Sequence, residues 1–234
     1  MRSFTRNSII GAVLAAITVG ALAFSAGAQA STITIYRNAL DSTDSRAQLR
    51  QMRVRTNCER GGSPNAFRFE LGRKAEECFY RVPVVGRDLQ VTATARIFKS
   101  TPPKVLRRAY AGVSLRQNTD GSRYQLVVWP STRRFGLRKV TANGRIVNLG
   151  SKRAGRKVNG PGRANKLTLR AFDGRRGGTR LIAWVNGNKV VTAGDEQSAN
   201  LIGRDTSFSI GAKGGGRGAI GSFVDLSVAM PDPF

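Results

Sequence analysis

Two adjacent pairs of carboxylic acids, Glu76-Glu77 and Asp195-Glu196, are the first residues in this chain that invite an acid–base reading. Hydrolysis of a glycosidic bond needs two carboxyl groups flanking that bond, roughly 5 to 9 Å apart. Neighbours along a strand point to opposite faces, so neither pair fits that geometry, and both are expected to be solvated. The chain contains 0 His, which removes the Ser-His-Asp and Cys-His nucleophilic sites. It also removes the side chain that most readily moves protons near neutral pH. The glycine run Lys213-Gly214-Gly215-Gly216-Arg217-Gly218 lacks the trailing Lys-Ser/Thr and the helix of a phosphate loop, and reads as a turn. What remains is binding chemistry. Arg116, Trp129, Arg138, Arg170, Trp184 and Asn186 alternate with Leu115, Val128, Leu137, Leu169 and Val185. If the apolar partners fill a core, these six share outward faces. There an indole ring can stack on a sugar, while Arg and Asn hold hydroxyl or carboxylate groups.

The elements that must position those residues are strands. Thr179–Gly194 alternates apolar and polar residues on both sides of Asn186-Gly187, a pair that tolerates positive φ and favours a tight hairpin turn. The same grammar surrounds Asp120-Gly121 and Asn143-Gly144. Asp88–Lys99 reads as a long strand with Leu89, Val91, Ala93, Ala95 and Ile97 on one face. Shorter strands are expected at TITIYR after Ser31, at AFRFEL, at FYRVPVV with its edge-favouring proline, at NKLTLRAF, at TSFSIGAK and at AIGSFVDLSVA. Asp41–Met52 is polar, with room for one helical turn, and Gly150–Lys166 reads as a basic loop. About a dozen short strands with turns every 8–12 residues, and no convincing helix, predict an all-β sandwich or barrel in one domain, residues 31–234.

Residues 1–30 read as a secretory signal peptide. Arg2 and Arg6 precede an apolar run from Ile9 to Phe24, and Ala28-Gln29-Ala30 supplies a cleavage site before Ser31. The run falls short of the roughly 20 apolar residues that span a bilayer, and no second long one follows, so the cleaved chain is expected to have no transmembrane segment. Export to the extracellular space or cell envelope is the implied destination. Losing Arg2 and Arg6 takes the 39 basic residues to 37 against 14 acidic ones, a net charge of +23. Thirty of the 39 are Arg, whose planar fork suits carboxylate, sulfate and phosphate. Between Arg133 and Arg180 there are 15 basic residues and one acid, Asp173. Such a surplus favours polyanions: an acidic polysaccharide, teichoic acid or extracellular DNA. The two cysteines, Cys58 and Cys78, allow one disulfide, which an exported protein would form; no His or further Cys is present to make them a metal site.

The order DLQVTATARI, YAGVSLRQNTDGSRYQLVVW, RFGLRKV, NKLTLRAF, RLIAWVNGNKVV and GSFVDLSVA, over Asp88–Ala229, resembles the concanavalin A-like lectin/glucanase superfamily with its laminin G-like jelly rolls. The resemblance implies the all-β, two-sheet antiparallel sandwich of a concanavalin-like jelly roll, one sheet curved into a concave surface where glycans often bind. It implies no single activity, since lectins, glycosidases, lyases and adhesion modules share it. Glucanases of this kind carry Glu-x-Asp-x-x-Glu on one strand, and that run is missing here. Jelly-roll lyases use Arg, Gln, His and Tyr, of which Arg116 and Tyr124 are an echo. The superfamily also implies calcium, for which Asp225 on the last strand stands in the expected place, with Asp41 and Asp44 as further oxygen donors. The expected function is a non-catalytic module for a glycan or anionic cell-envelope polymer. The alternatives are a lyase or hydrolase of an acidic polysaccharide, and a structural domain without a small ligand.

Overall fold

The computed structural model describes residues 32–40, 58–63, 66–72, 76–82, 84–174, 177–196, 201–214 and 217–231. The signal-peptide expectation, the turn of helix in Asp41–Met52 and the donors Asp41 and Asp44 lie outside them. Residues Ser31–Phe234 cluster as one compact unit.

Fourteen strands are described: β1 (Thr32–Asn38), β2 (Cys58–Ser63), β3 (Ala66–Leu71), β4 (Glu77–Val82), β5 (Leu89–Ile97), β6 (Ala109–Gln117) and β7 (Arg123–Trp129). There follow β8 (Arg134–Val140), β9 (Ile146–Arg153), β10 (Asn165–Asp173), β11 (Thr179–Val185), β12 (Asn188–Asp195), β13 (Asp205–Ala212) and β14 (Ile220–Pro231). A one-turn helix α1 (Pro103–Leu106) leads into β6. The sheets are antiparallel throughout. One runs β12-β11-β10-β5-β14-β3-β2, with β1 also on β14, and the other runs β4-β13-β6-β7-β8-β9. The result is a two-sheet sandwich of the jelly-roll kind.

Strand alternation explains the core. Leu89, Val91, Ala93, Ala95 and Ile97 of β5 are all buried, facing Ala111, Val113 and Leu115 of β6 and Leu126 and Val128 of β7. Phe67, Phe69, Tyr80, Phe208 and Phe223 form a ring cluster between the sheets, with Phe69 and Phe223 stacked at 5.7 Å and Phe67 edge-on to Tyr80 at 4.6 Å. At the Asn186-Gly187 hairpin both φ angles are positive, 52° and 77°, which is the twist a two-residue hairpin turn needs. One boundary differs from expectation: β9 runs on to Arg153, into the stretch read as loop, because its backbone pairs with β8 as far as Arg134. The ladder there needs no hydrophobic alternation, and β9 is a solvent-exposed edge. Gly150 of β9 packs directly on Val191 of β12, where a Cβ would stand 2.7 Å from the valine methyl, so the two sheets close tightly along this side.

Among the described residues, three ties join the sheets. Cys58 of β2 and Cys78 of β4 form a disulfide. It links an edge strand of each sheet and closes a separation of 20 residues. Removing it with Cys58→Ser and Cys78→Ser is expected to cost about 3 kcal/mol through the freed unfolded chain, read as an earlier urea midpoint. Tyr124 of β7 donates its hydroxyl to Asp195 at 2.6 Å, and Lys139 of β8 pairs with the same carboxylate at 2.8 Å. The third tie is Arg116.

Candidate functional site

Period-2 alternation along β6 places Tyr110, Gly112 and Ser114 on the outer face of the six-stranded sheet, and would place Arg116 beside them. A β-bulge intervenes. The β13 ladder jumps from Ser207↔Ser114 to Asp205↔Gln117, and Arg116 takes φ 53°. The bulge turns its side chain across the end of the sandwich to the first and last residues of the other sheet's strands. There its Nε donates to the Arg87 carbonyl (3.1 Å) and Nη1 to Thr179 (2.7 Å). Nη2 donates to Asp88 (3.2 Å) and Asp173 (2.7 Å). Arg116 is a clamp between sheets.

The other five candidates divide between the two outer faces. Arg170 and Trp184 stand on the outside of the eight-stranded sheet, on β10 and β11, with Arg170 over the ring of Phe172 at 5.4 Å. Asn186 occupies the hairpin turn, and its side chain is spent on the local backbone. Its Nδ2 donates to the Lys157 carbonyl and to Asn165, and its Oδ1 accepts from the Lys166 amide. Trp129 and Arg138 come together on the opposite face, that of the six-stranded sheet. The companions Leu115, Val128, Leu137, Leu169 and Val185 do fill the core. Alternation identified outward faces correctly but could not tell that they belong to different sheets.

The Trp129–Arg138 end of this face is a trough of about 570 Å³. Its floor is glycine and aromatic surface. Trp129 lies over Gly136, whose Cβ would stand 3.0 Å from the indole, and meets Tyr110 edge-on at 5.9 Å. Tyr110 in turn lies across Gly211, where no side chain larger than hydrogen fits. The Arg138 guanidinium sits over the Tyr110 ring at 4.6 Å, a cation–π contact, and is itself buried. Arg107, Arg108, Arg134 and Lys213, all exposed, stand around the rim, with Asn148 and Ser151 of β9 completing one wall. Arg134 is directly opposite Arg153 across the β8–β9 ladder, a like-charge pairing that costs stability. The ion pairs among the described residues use Arg81, Arg87, Arg116, Arg123 and Lys139. None uses a cation of the trough, and none of the described lining residues is acidic.

Beneath the trough a polar network runs across the same face. Glu77 of β4 pairs with Arg123 at 2.5 Å and accepts from Gln125 Nε2 at 2.5 Å. Gln125 Nε2 also donates to Ser209 at 2.8 Å, and its Oε1 accepts from Arg138 Nε at 2.8 Å. Burial alone would raise the Glu77 carboxyl. Arg123, Arg138 and side-chain hydrogen bonds from Ser209 and Gln125 overcome it and hold the group below its ordinary 4.5. The Tyr110 phenol moves the other way, pushed up by burial and by Glu77 despite Arg138. These findings correct the expectation of solvated acidic pairs. Glu76 and Glu196 are exposed, but Glu77 and Asp195 have side chains only 15% and 9% exposed and anchor polar ties. Alternation predicted the opposite orientation of each pair's members; it could not show that Glu77 would meet an arginine on the outer face or that Asp195 would meet a tyrosine and a lysine.

Asp225 lies at a second bulge, in β14, with φ 52° and its amide bonded to the Ala39 carbonyl. Its side chain is exposed, and no group of three or more acidic, Cys or His residues suited to a metal occurs among the described residues. Sequence reasoning missed Tyr110, Arg107, Arg108, Arg134 and Lys213. Tyr110 was legible from its alternation with Ala109 and Ala111. The four cations were hidden because they converge from three separate turns.

No protein-family model and no curated protein matches the chain. Solved structures do. A Bacillus subtilis protein of unknown function with a galectin-like fold superposes with TM-score 0.59 at 11% identity, over 86% of this chain and 98% of that one. The carbohydrate-binding module CBM66 from Bacillus subtilis gives 0.55 at 13% identity, over 76% and 94%. The alginate lyase Aly36B gives 0.52 at 13% identity, over 84% and 95%. At these identities the likeness is one of fold, and it agrees with the superfamily resemblance of the strand order.

Proposed function

We propose that this chain is an exported, non-catalytic module that binds a glycan or another anionic polymer of the cell envelope through the Trp129 trough. The observation that carries the reading is an aromatic floor rimmed by Arg107, Arg108, Arg134 and Lys213, none of which forms an ion pair among the described residues. Unpaired like charges gathered at one place raise the energy of the free protein, and a polyanion relieves it. An indole beside them gives a sugar ring a flat apolar surface. A carbohydrate-binding module and an alginate lyase built on the same fold lend support to a carbohydrate ligand. Export rests on the Arg2-to-Ala30 pattern, with the Cys58–Cys78 disulfide as its companion. A lyase reading needs a phenol that gives up its proton near neutral pH. Tyr110, the phenol at this floor, is shifted away from that by burial and by Glu77.

The test is binding of acidic and neutral polysaccharides, teichoic acid and DNA by calorimetry at low and physiological salt. Trp129→Ala is expected to weaken glycan binding about 10-fold or more while leaving the net charge untouched. Gly136→Ala should act in the same direction by lifting the indole, because the new Cβ would meet its edge. Binding to every polyanion that disappears with salt and ignores both substitutions would mean that net charge alone acts.

A further inference from the structure

We infer that the trough is built for a hexuronate unit, with Arg138 reading the carboxylate and Trp129 the pyranose face. This deepens the glycan reading above and rests on it. Arg138 is the buried cation of the site, 7% exposed, and no carboxylate lies within ion-pair distance of it among the described residues. Glu77, one glutamine away, is held down by Arg138 as well as by its ion-pair partner Arg123, so one carboxylate serves two buried guanidiniums, and the surplus positive charge is informative about what completes the site.

The network fixes which part of Arg138 meets a ligand. Gln125 donates its amide nitrogen to Glu77 and Ser209, which leaves Oε1 aimed at Arg138 Nε. With Nε spent on Gln125 and one hydrogen bond going to the Tyr110 hydroxyl, the two terminal nitrogens keep further N–H groups, which form a planar fork matching two coplanar carboxylate oxygens. Tyr110 supports one face of the guanidinium and meets Trp129, so fork and indole are joined by one aromatic contact. In a uronate the carboxylate is bonded directly to a ring carbon, so charge and apolar ring face lie side by side. A sulfate ester sets its charge one oxygen further from the ring. A teichoic-acid phosphate lies in the polymer backbone, between units. The uronate is the ligand whose two features match this spacing. Gln125 and Glu77 are positioning residues, acting through Arg138.

The experiment compares alginate and polygalacturonate with dextran sulfate, teichoic acid and methyl-esterified polygalacturonate, using the full chain at physiological salt. The polyuronates should bind about 10-fold or more tightly per repeat than dextran sulfate or teichoic acid, and esterification should abolish the advantage. Arg138→Lys keeps the charge but not the fork. It should erase most of the polyuronate preference while changing dextran sulfate binding by no more than about 2-fold. Arg204→Lys, exposed and outside the trough, should leave the preference intact. If Arg138→Lys fails to fold, the wild-type preference and its loss on esterification still decide the matter. Dextran sulfate binding as tightly as the polyuronates would overturn the uronate inference and leave the polyanion reading standing. If no polymer binds at all, both fall.

Discussion

Replacing Arg116 by Ala is expected to destabilise the fold by about 4 kcal/mol and to lower the melting temperature by roughly 10 °C. The side chain is 4% exposed and makes four hydrogen bonds to the far sheet, through Arg87, Asp88, Asp173 and Thr179. Its carboxylate partners, Asp88 and Asp173, are 51% and 38% exposed, so water can solvate them once the guanidinium is gone. That limits the loss below what two stranded buried charges would give. The remainder comes from the Thr179 and carbonyl bonds and from the cavity left by the aliphatic stem. The backbone supplies an internal control. Arg116 sits at φ 53°, where a Cβ is strained, so Arg116→Gly should be about 1 kcal/mol more stable than Arg116→Ala. Chemical denaturation of the three proteins checks both statements. An Ala variant as stable as the parent would remove Arg116 from the ties that hold the sheets together, and with it the reason for the bulge.

The same residue shows where sequence reasoning stops. Strand periodicity located β5, the three hairpins and the core positions because each depends on neighbours two residues apart. The bulge at Arg116 depends on how β6 meets β13, a strand some 90 residues later, and nothing in LRQN marks it. Sheet membership is hidden for the same reason. Trp129 and Trp184 carry the same outward signature, yet the strand order sends them to opposite faces of the sandwich. The basic composition pointed to an anion, but composition is silent on placement. Arg107, Arg108, Arg134 and Lys213 become one rim only when α1, the β7–β8 turn and the end of β13 are brought to the same end of one sheet. Trp129 and Arg138 were each legible as outward-facing, and the short turn between β7 and β8 brings them together, with Gln125 fixed opposite Arg138 by the same hairpin. The trough is therefore half local, in one hairpin, and half the product of the long-range strand order.

Glu77 carries the second large effect, and it tests whether the floor of the trough is held from below. Glu77→Gln keeps the shape and an acceptor for Gln125 but leaves Arg123, 8% exposed, without its carboxylate. Breaking one side of a buried pair costs roughly 3–5 kcal/mol, since the surviving charge stays desolvated. Substituting both, as Glu77→Leu with Arg123→Met, should recover most of the loss, because two apolar groups need no counter-ion. Stability should also respond to acid in a defined direction. The folded carboxyl lies below the ordinary 4.5, so its contribution is complete above that value and is lost as pH falls through the depressed one. The stability difference between parent and Glu77→Gln should therefore be largest near neutral pH and shrink below about 4.5. Denaturation at a series of pH values reads this directly. A difference that stays constant into strong acid would mean that the Glu77 charge contributes nothing to the fold. If the Gln variant is stable enough to assay, its polyuronate preference should fall as well, because Gln125 would no longer be held toward Arg138 by a charge. Loss of stability with the preference intact would separate the two roles, leaving Glu77 as a partner of Arg123 and nothing more.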